Sequence, residues 1–163
     1  MKLLFISSLT LLLTILFEIL KFKPSKLKRR RNSIIKNKKV TYLFEKHPET
    51  FTRHLQELEK FEKDKKYLNP KLTINIMAKT MRSNSAYVAT LLKIHRHKNY
   101  IQYINDLRID YIIEILKTSS RHRNYTNKAL GSEAGFGTTQ SFVKSFKNRT
   151  RKSPTDFIKR IHK

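Results

Sequence analysis

Four groups of side chains in this sequence could do chemistry. His95 and His97 form a His-x-His pair beside Arg96 and Lys98. A metal site needs further ligands at fixed geometry. No cysteine exists to supply one, so solvated or phosphate-contacting side chains are the plainer reading. Arg121, His122 and Arg123 form a second basic group in an expected loop, open to solvent or to phosphate. Asp106, Asp110 and Glu114 fall at i, i+4 steps. A catalytic pair would need a cleft and a raised pKa, whereas an exposed face paired with lysine or arginine needs neither. Tyr100, Tyr103 and Tyr111 recur at helical spacing, as core residues or, less simply, as base-stacking ones. No nucleophile–base motif accompanies the serines and histidines.

Charge decides between partners. The 163 residues carry 36 Lys+Arg and 12 Asp+Glu, a formal net charge of +24. An excess that large points to a polyanion, either nucleic acid or an acidic membrane surface. Without cysteine there is no disulfide framework, thiolate metal site or cysteine nucleophile. Three glycines and no GxGxxG or GxxxxGK[ST] motif exclude a phosphate-cradling loop of those types. No enzyme and no cofactor is expected.

The elements that position these groups begin with an apolar run, LLFISSLTLLLTILFEIL, over residues 3–20. Eighteen helical residues span ~27 Å, close to the ~30 Å hydrocarbon core of a bilayer. A signal peptide would need a small-x-small cleavage site, and Phe17-Glu18-Ile19-Leu20-Lys21 is a poor one. A membrane-anchoring helix over 1–20 fits best. Lys2 precedes it, whereas Lys21, Lys23 and the run Lys26–Arg31 follow. The positive-inside rule then places the bulk of the chain in the cytoplasm. The Lys26–Arg31 cluster either holds anionic lipid headgroups or is a solvated stop-transfer flank.

Residues 21–48 read as a basic linker with Pro24 and Pro48, and residues 49–69 as a connecting helix with Phe51, Leu55, Leu58 and Phe61 on one face. From residue 70 onward the pattern is densely helical. Thr73 caps a short helix through Met81, with Ile74, Met77, Ala78 and Met81 inward. Asn84 caps the next helix, which carries Tyr87, Val88, Leu91 and Leu92 on its buried side. A long helix from about Asn99 to Lys117 presents Tyr100, Tyr103, Ile104, Leu107, Tyr111 and Ile115 as its apolar stripe. After a polar break over residues 118–124 comes a short helix with Ala129, Leu130 and Ala134. A further helix holds Phe142, Val143 and Phe146, and the last opens at Ser153-Pro154. No alternating strand pattern appears.

Helix, tight turn, helix therefore occurs twice, at about 73–95 and 126–148. Such a unit needs a small residue on its first helix facing the second, a role for Ala78 and Gly131. It also needs a turn residue that tolerates positive φ. Gly135 meets that need in the second unit, and Arg82 or Asn84 must do so in the first.

The segment Ala129-Leu130-Gly131-Ser132-Glu133-Ala134-Gly135-Phe136, with Ser141-Phe142, Phe146-Lys147, Ser153-Pro154 and Phe157, resembles the C-terminal signature of AraC/XylS-type transcription regulators. Tyr87-Val88 and the run Tyr100–Ile109 are similar to the family's first unit and linker helix. The resemblance covers about residues 72–162. It extends loosely to residues 58–62, as in a membrane-anchored branch whose helical-repeat sensor precedes the spanning helix. Arg82 and Arg151 stand where the family usually has glycine, Gly131 where it has alanine, and Asn127 where it has an apolar residue.

The resemblance implies an all-α, homeodomain-like fold: two helix-turn-helix units joined by a long linker helix, here preceded by a transmembrane helix. It implies a DNA-binding domain at 70–163, whose 19 Lys+Arg against 5 Asp+Glu suit a phosphate backbone. By motif matching, the groove-facing residues are Ser85, Ala86, Ala89, Thr90 and Lys93 in the first unit. In the second they are Thr139, Gln140, Ser141 and Lys144, with Lys147 on phosphate. Gln140 can pair with adenine and Lys144 with guanine, while Ala86 and Ala89 offer only methyl contact. Unequal half-sites are expected. The implied function is a sequence-specific regulator of double-stranded DNA at the cytoplasmic membrane face. The alternative is a divergent, sensor-less fragment with only non-specific nucleic-acid or lipid affinity. Oligomeric state stays open.

Overall fold

The computed structural model describes residue 42 and residues 47–161. The expected membrane-spanning segment 3–20 and most of the basic linker lie outside them. Among the described residues, no helix is long and apolar enough to cross a membrane.

The described residues are helical, with no strand among them. The helices are α1 (Pro48–Lys63), α2 (Ile74–Thr80), α3 (Ser85–His95), α4 (Tyr100–Thr118), α5 (Ser120–Arg123), α6 (Asn127–Glu133), α7 (Thr139–Thr150) and α8 (Pro154–Ile161). A 3₁₀ turn, Lys66–Leu68, sits between α1 and α2. Local chemistry starts most of them. Thr73, Asn84, Asn99, Thr126 and Thr138 each accept a backbone N–H from the first turn they precede. Each such cap is worth about 1 kcal/mol. Asn99 and Gln102 complete a reciprocal capping box at the start of α4. Ser153 Oγ accepts the Asp156 N–H at 3.1 Å to start α8.

The connecting helix expected over 49–69 is shorter and belongs elsewhere. It ends at Lys63, and Lys65 turns the chain in the left-handed conformation into the 3₁₀ turn. It is also part of the same compact unit, residues 43–163, as the helices that follow. Leu58 and Phe61 are buried. Glu62 accepts from Arg96 at 2.8 Å and from the Tyr103 hydroxyl at 2.7 Å, tying α1 to the end of α3 and to α4. Burial and the Glu62 carboxylate together push the Tyr103 hydroxyl pKa well above its ordinary value.

The apolar stripe of α4 also differs from expectation. Its buried residues are Tyr103, Ile104, Arg108, Ile109, Ile112 and Leu116. Leu107, Tyr111 and Ile115 are half-buried. The reason is that α4 has partners on two sides. It contacts α3, the 3₁₀ turn, α5 and α7, so no single stripe describes its buried face. The second half belongs to a core of Ile109, Ile112, Leu116, Leu130, Ala134, Phe136, Phe142 and Phe146. The polar break expected over 118–124 holds the short helix α5, from which Arg123 Nη1 donates to the Leu116 carbonyl at 2.9 Å.

Candidate nucleic-acid interface

The two helix-turn-helix units, α2–α3 and α6–α7, are built by the same backbone device. In the first, Arg82 is left-handed (φ 48). Its N–H donates to the Lys79 carbonyl at 3.1 Å, and the Ser83 N–H donates to the Ala78 carbonyl at 2.8 Å. In the second, Gly135 is left-handed (φ 75). Its N–H donates to Ser132 at 2.9 Å and the Phe136 N–H to Gly131 at 2.8 Å. Both are the paired bonds of a Schellman turn, which satisfies carbonyls that a helix end leaves free. The first turn is one residue shorter, since Asn84 caps α3 two residues after Arg82 and Thr138 caps α7 three after Gly135.

The small residues sit where the helices meet. A Cβ added at Gly131 would lie 3.1 Å from the Phe142 Cβ, so α6 and α7 approach closely there. Ala78 is buried at the matching place. Gly135 has a second constraint: a Cβ there would fall 2.1 Å from the Leu68 carbonyl oxygen. The 3₁₀ turn thus lies against the backbone of the second unit's turn.

On α7 the expected residues share an open face. Phe142 and Phe146 are fully buried, while Thr139, Gln140, Ser141, Lys144 and Lys147 are exposed. Gln140, Lys144 and Lys147 follow i, i+4, i+7 spacing, one side of a helix. None of the three side chains has a hydrogen-bond or ion-pair partner among the described residues. Asn148, which the motif match passed over, continues this face at i+4 from Lys144, a period the sequence carries. Ser141 is partly engaged, since its Oγ donates to the Thr138 carbonyl at 2.9 Å. Ser141 therefore serves the helix start first.

On α3 the outcome is mixed. Ala86 and Lys93 are exposed, and Ser85 and Ala89 are half-buried. Ser85 Oγ donates to Asn75 Oδ1, joining α3 to α2. Thr90 departs from expectation. It is 4 % exposed and its hydroxyl donates to the Ala86 carbonyl at 2.9 Å. It faces the interior, and no groove-facing role fits that burial.

The electrostatics are one-sided. Neither α3 nor α7 carries a carboxylate. Acids close to them are already matched: Glu62 with Arg96 at 2.8 Å, Asp106 with Lys98 at 2.7 Å, and Asp110 with Arg149 at 2.8 Å. The Asp110 carboxylate holds the Arg149 guanidinium pKa above its ordinary value. Asp106 and Asp110 are thus ion-pair partners, and Tyr103 is a core residue. Among the described residues no group of three or more His, Asp or Glu side chains could hold a metal.

No protein-family model matches the sequence, and no curated protein matches it. Solved structures do. The C-terminal domain of AraT, a response regulator from Geobacillus stearothermophilus, superposes with a TM-score of 0.56 at 16% identity, over 66% of this chain and 84% of that one. The C-terminal domain of the two-component response regulator yesN from Fusobacterium nucleatum gives 0.55 at 17%, over 64% and 97%. A protein of unknown function from Listeria innocua gives 0.55 at 16%, over 64% and 94%. At these identities the likeness is one of fold.

Proposed function

We propose that this chain is a transcription regulator of the AraC/XylS type that binds double-stranded DNA through α3 and α7 and is tethered to the cytoplasmic membrane face by residues 3–20. One observation carries the DNA reading: the first helices of two units end in the same paired bonds around a left-handed residue, and each unit presents a second helix that is free of carboxylates and has a cation on its open face. A helix of that kind enters a major groove while its partner helix crosses the backbone. The shared fold with C-terminal domains of two response regulators supports it. α4, with 19 residues, spans ~28 Å, which suits two major-groove segments about one turn, ~34 Å, apart. The anchor rests on the sequence of residues 3–20 and the basic flank after it.

Base discrimination falls mainly to α7. Gln140 and Lys144 can address adenine and guanine edges, and Lys147 a phosphate. On α3, Ala86 and Ala89 offer methyl contact and Lys93 a charge. The poverty of α3 favours one second reading, a non-specific polyanion binder. Selection from a randomised duplex library at physiological salt separates the two. An enriched motif with two parts one helical turn apart supports the regulator, and salt-sensitive binding without enrichment supports the non-specific binder. No duplex binding at all would remove both.

A further inference from the structure

α4 and α7 leave an open cleft of about 730 Å³ between them. Lys98, Ile101 and Gln102 line it from the start of α4, and Lys144, Asn148 and Arg151 from α7 and its end. A row of charges joins the two helices beside it. Lys98 Nζ lies 2.7 Å from Asp106, Asp106 lies 4.0 Å from Arg149, and Arg149 grips Asp110 through Nε and Nη2 at 2.9 and 2.8 Å. Two carboxylates match two cations, so this row is internally neutral and holds α7 against α4. Asp106 is the sole carboxylate lining the cleft. The cations left over are Lys144 and Arg151, both exposed and without an ion-pair partner among the described residues. The cleft therefore offers positive charge to an anion.

Arg151 holds an unusual conformation for that charge. It follows α7 at φ 62, ψ 13, in the left-handed region that glycine enters freely and a residue with Cβ does not. The last turn of α7 already has Lys147 and Arg149 to complement its dipole, so the helix end does not require a third cation. Ile101 is anomalous in its own way, an apolar side chain that lines the cleft and is 63% exposed.

We propose that this cleft seats one phosphodiester strand of the duplex, with Arg151 and Lys144 on its phosphates and Ile101 against its sugars. The assignment rests on the double-stranded-DNA reading above. Lys144 belongs both to the reading face of α7 and to the cleft wall. The strand bordering the groove that α7 enters must therefore pass along the cleft. Glycine at 151 would relieve the backbone and lose the contact.

The test uses the full chain in neutral detergent and a mixed-sequence duplex, titrated between about 50 and 200 mM salt. Arg151→Gly should leave the thermal midpoint at or above wild type. It should weaken binding several-fold and flatten the slope of log affinity against log salt by about 1. Arg151→Lys should keep affinity and slope, and Lys60→Gln, on the exposed side of α1, should change neither. A wild-type slope in Arg151→Gly overturns the cleft assignment and leaves the DNA reading intact. An equal flattening by Lys60→Gln also overturns it, because the effect would then be one of overall charge. If the wild-type chain shows no salt-dependent duplex binding, the DNA reading falls and the cleft with it.

Discussion

Arg108, midway along α4, donates through Nε to the Tyr67 carbonyl at 2.7 Å and through Nη2 to the Asn69 carbonyl at 2.8 Å. It is 7% exposed, and its guanidinium lies 5.5 Å from the centre of the Phe136 ring. One side chain thus joins the segment after α1, the linker helix and the turn of the second unit. Burial lowers its pKa somewhat, but a guanidinium stays charged. Its partners are carbonyl dipoles and an aromatic face, so no carboxylate has to be buried with it.

Replacing Arg108 by Met keeps much of the volume, leaves the Tyr67 carbonyl without a donor and leaves the Asn69 carbonyl only the Leu72 N–H. The expected loss is about 2–4 kcal/mol, read as a lower denaturant midpoint. A change under about 0.5 kcal/mol, the range of an ordinary surface substitution, would mean that Arg108 does not brace the two units.

The two turn positions should respond in opposite directions. Arg82→Gly removes a left-handed residue with Cβ and should stabilise by about 1 kcal/mol. Gly135→Ala adds that penalty and drives a Cβ into the Leu68 backbone, for an expected loss of about 2–4 kcal/mol. Thermal midpoints measure both, and a neutral Gly135→Ala would show that the Leu68 segment is free to move away.

Gln140→Ala and Lys147→Ala separate reading from holding. The first should relax base preference by about 1–3 kcal/mol at one position. The second should weaken all duplexes alike and reduce the salt slope by about 1. If both lower affinity equally on every sequence, α7 does not read bases through Gln140.

Tyrosines set the alkaline limit. Burial, foremost, raises the pKa of Tyr67, Tyr87, Tyr100, Tyr103 and Tyr111. A tyrosine that stays neutral in the folded chain contributes stability that is present below the unfolded value near 10.0. That contribution is lost as pH rises beyond it, because only the unfolded chain then gives up the proton. Stability should fall above about pH 10, and less steeply in Tyr103→Phe. An identical alkaline slope in that variant would remove Tyr103 from the account.

Local chemistry was legible in the sequence, and long-range chemistry was not. The caps at Thr73 and Asn84 and the Gly135 turn follow from residue type alone, whereas the left-handed residue of the first turn stayed open between Arg82 and Asn84 until the backbone placed it at Arg82. The open face of α7 follows from the spacing of Phe142 and Phe146. The two sides of α4 were hidden, because a single hydrophobic period describes a helix with one partner face. Thr90 was placed in the groove by position in a motif, and the packing beneath it put the side chain inside. Arg108 could not be read as buried, since its acceptors are backbone carbonyls about 40 residues earlier in the chain. The same distance hid α1, which reads as a connector until Glu62 meets Arg96 and Tyr103.

That distance also orders assembly. α2–α3 and α6–α7 are neighbours in sequence and can pair as soon as both helices exist. The ties from Glu62 and Arg108 join residues 34 to 41 apart. At ordinary rates of synthesis Glu62 leaves the ribosome some 2–8 s before Arg96 and Tyr103. Among the described residues the apolar side of α1 is then left waiting for cover, and after folding its amides should exchange with solvent before those of α4 and α7.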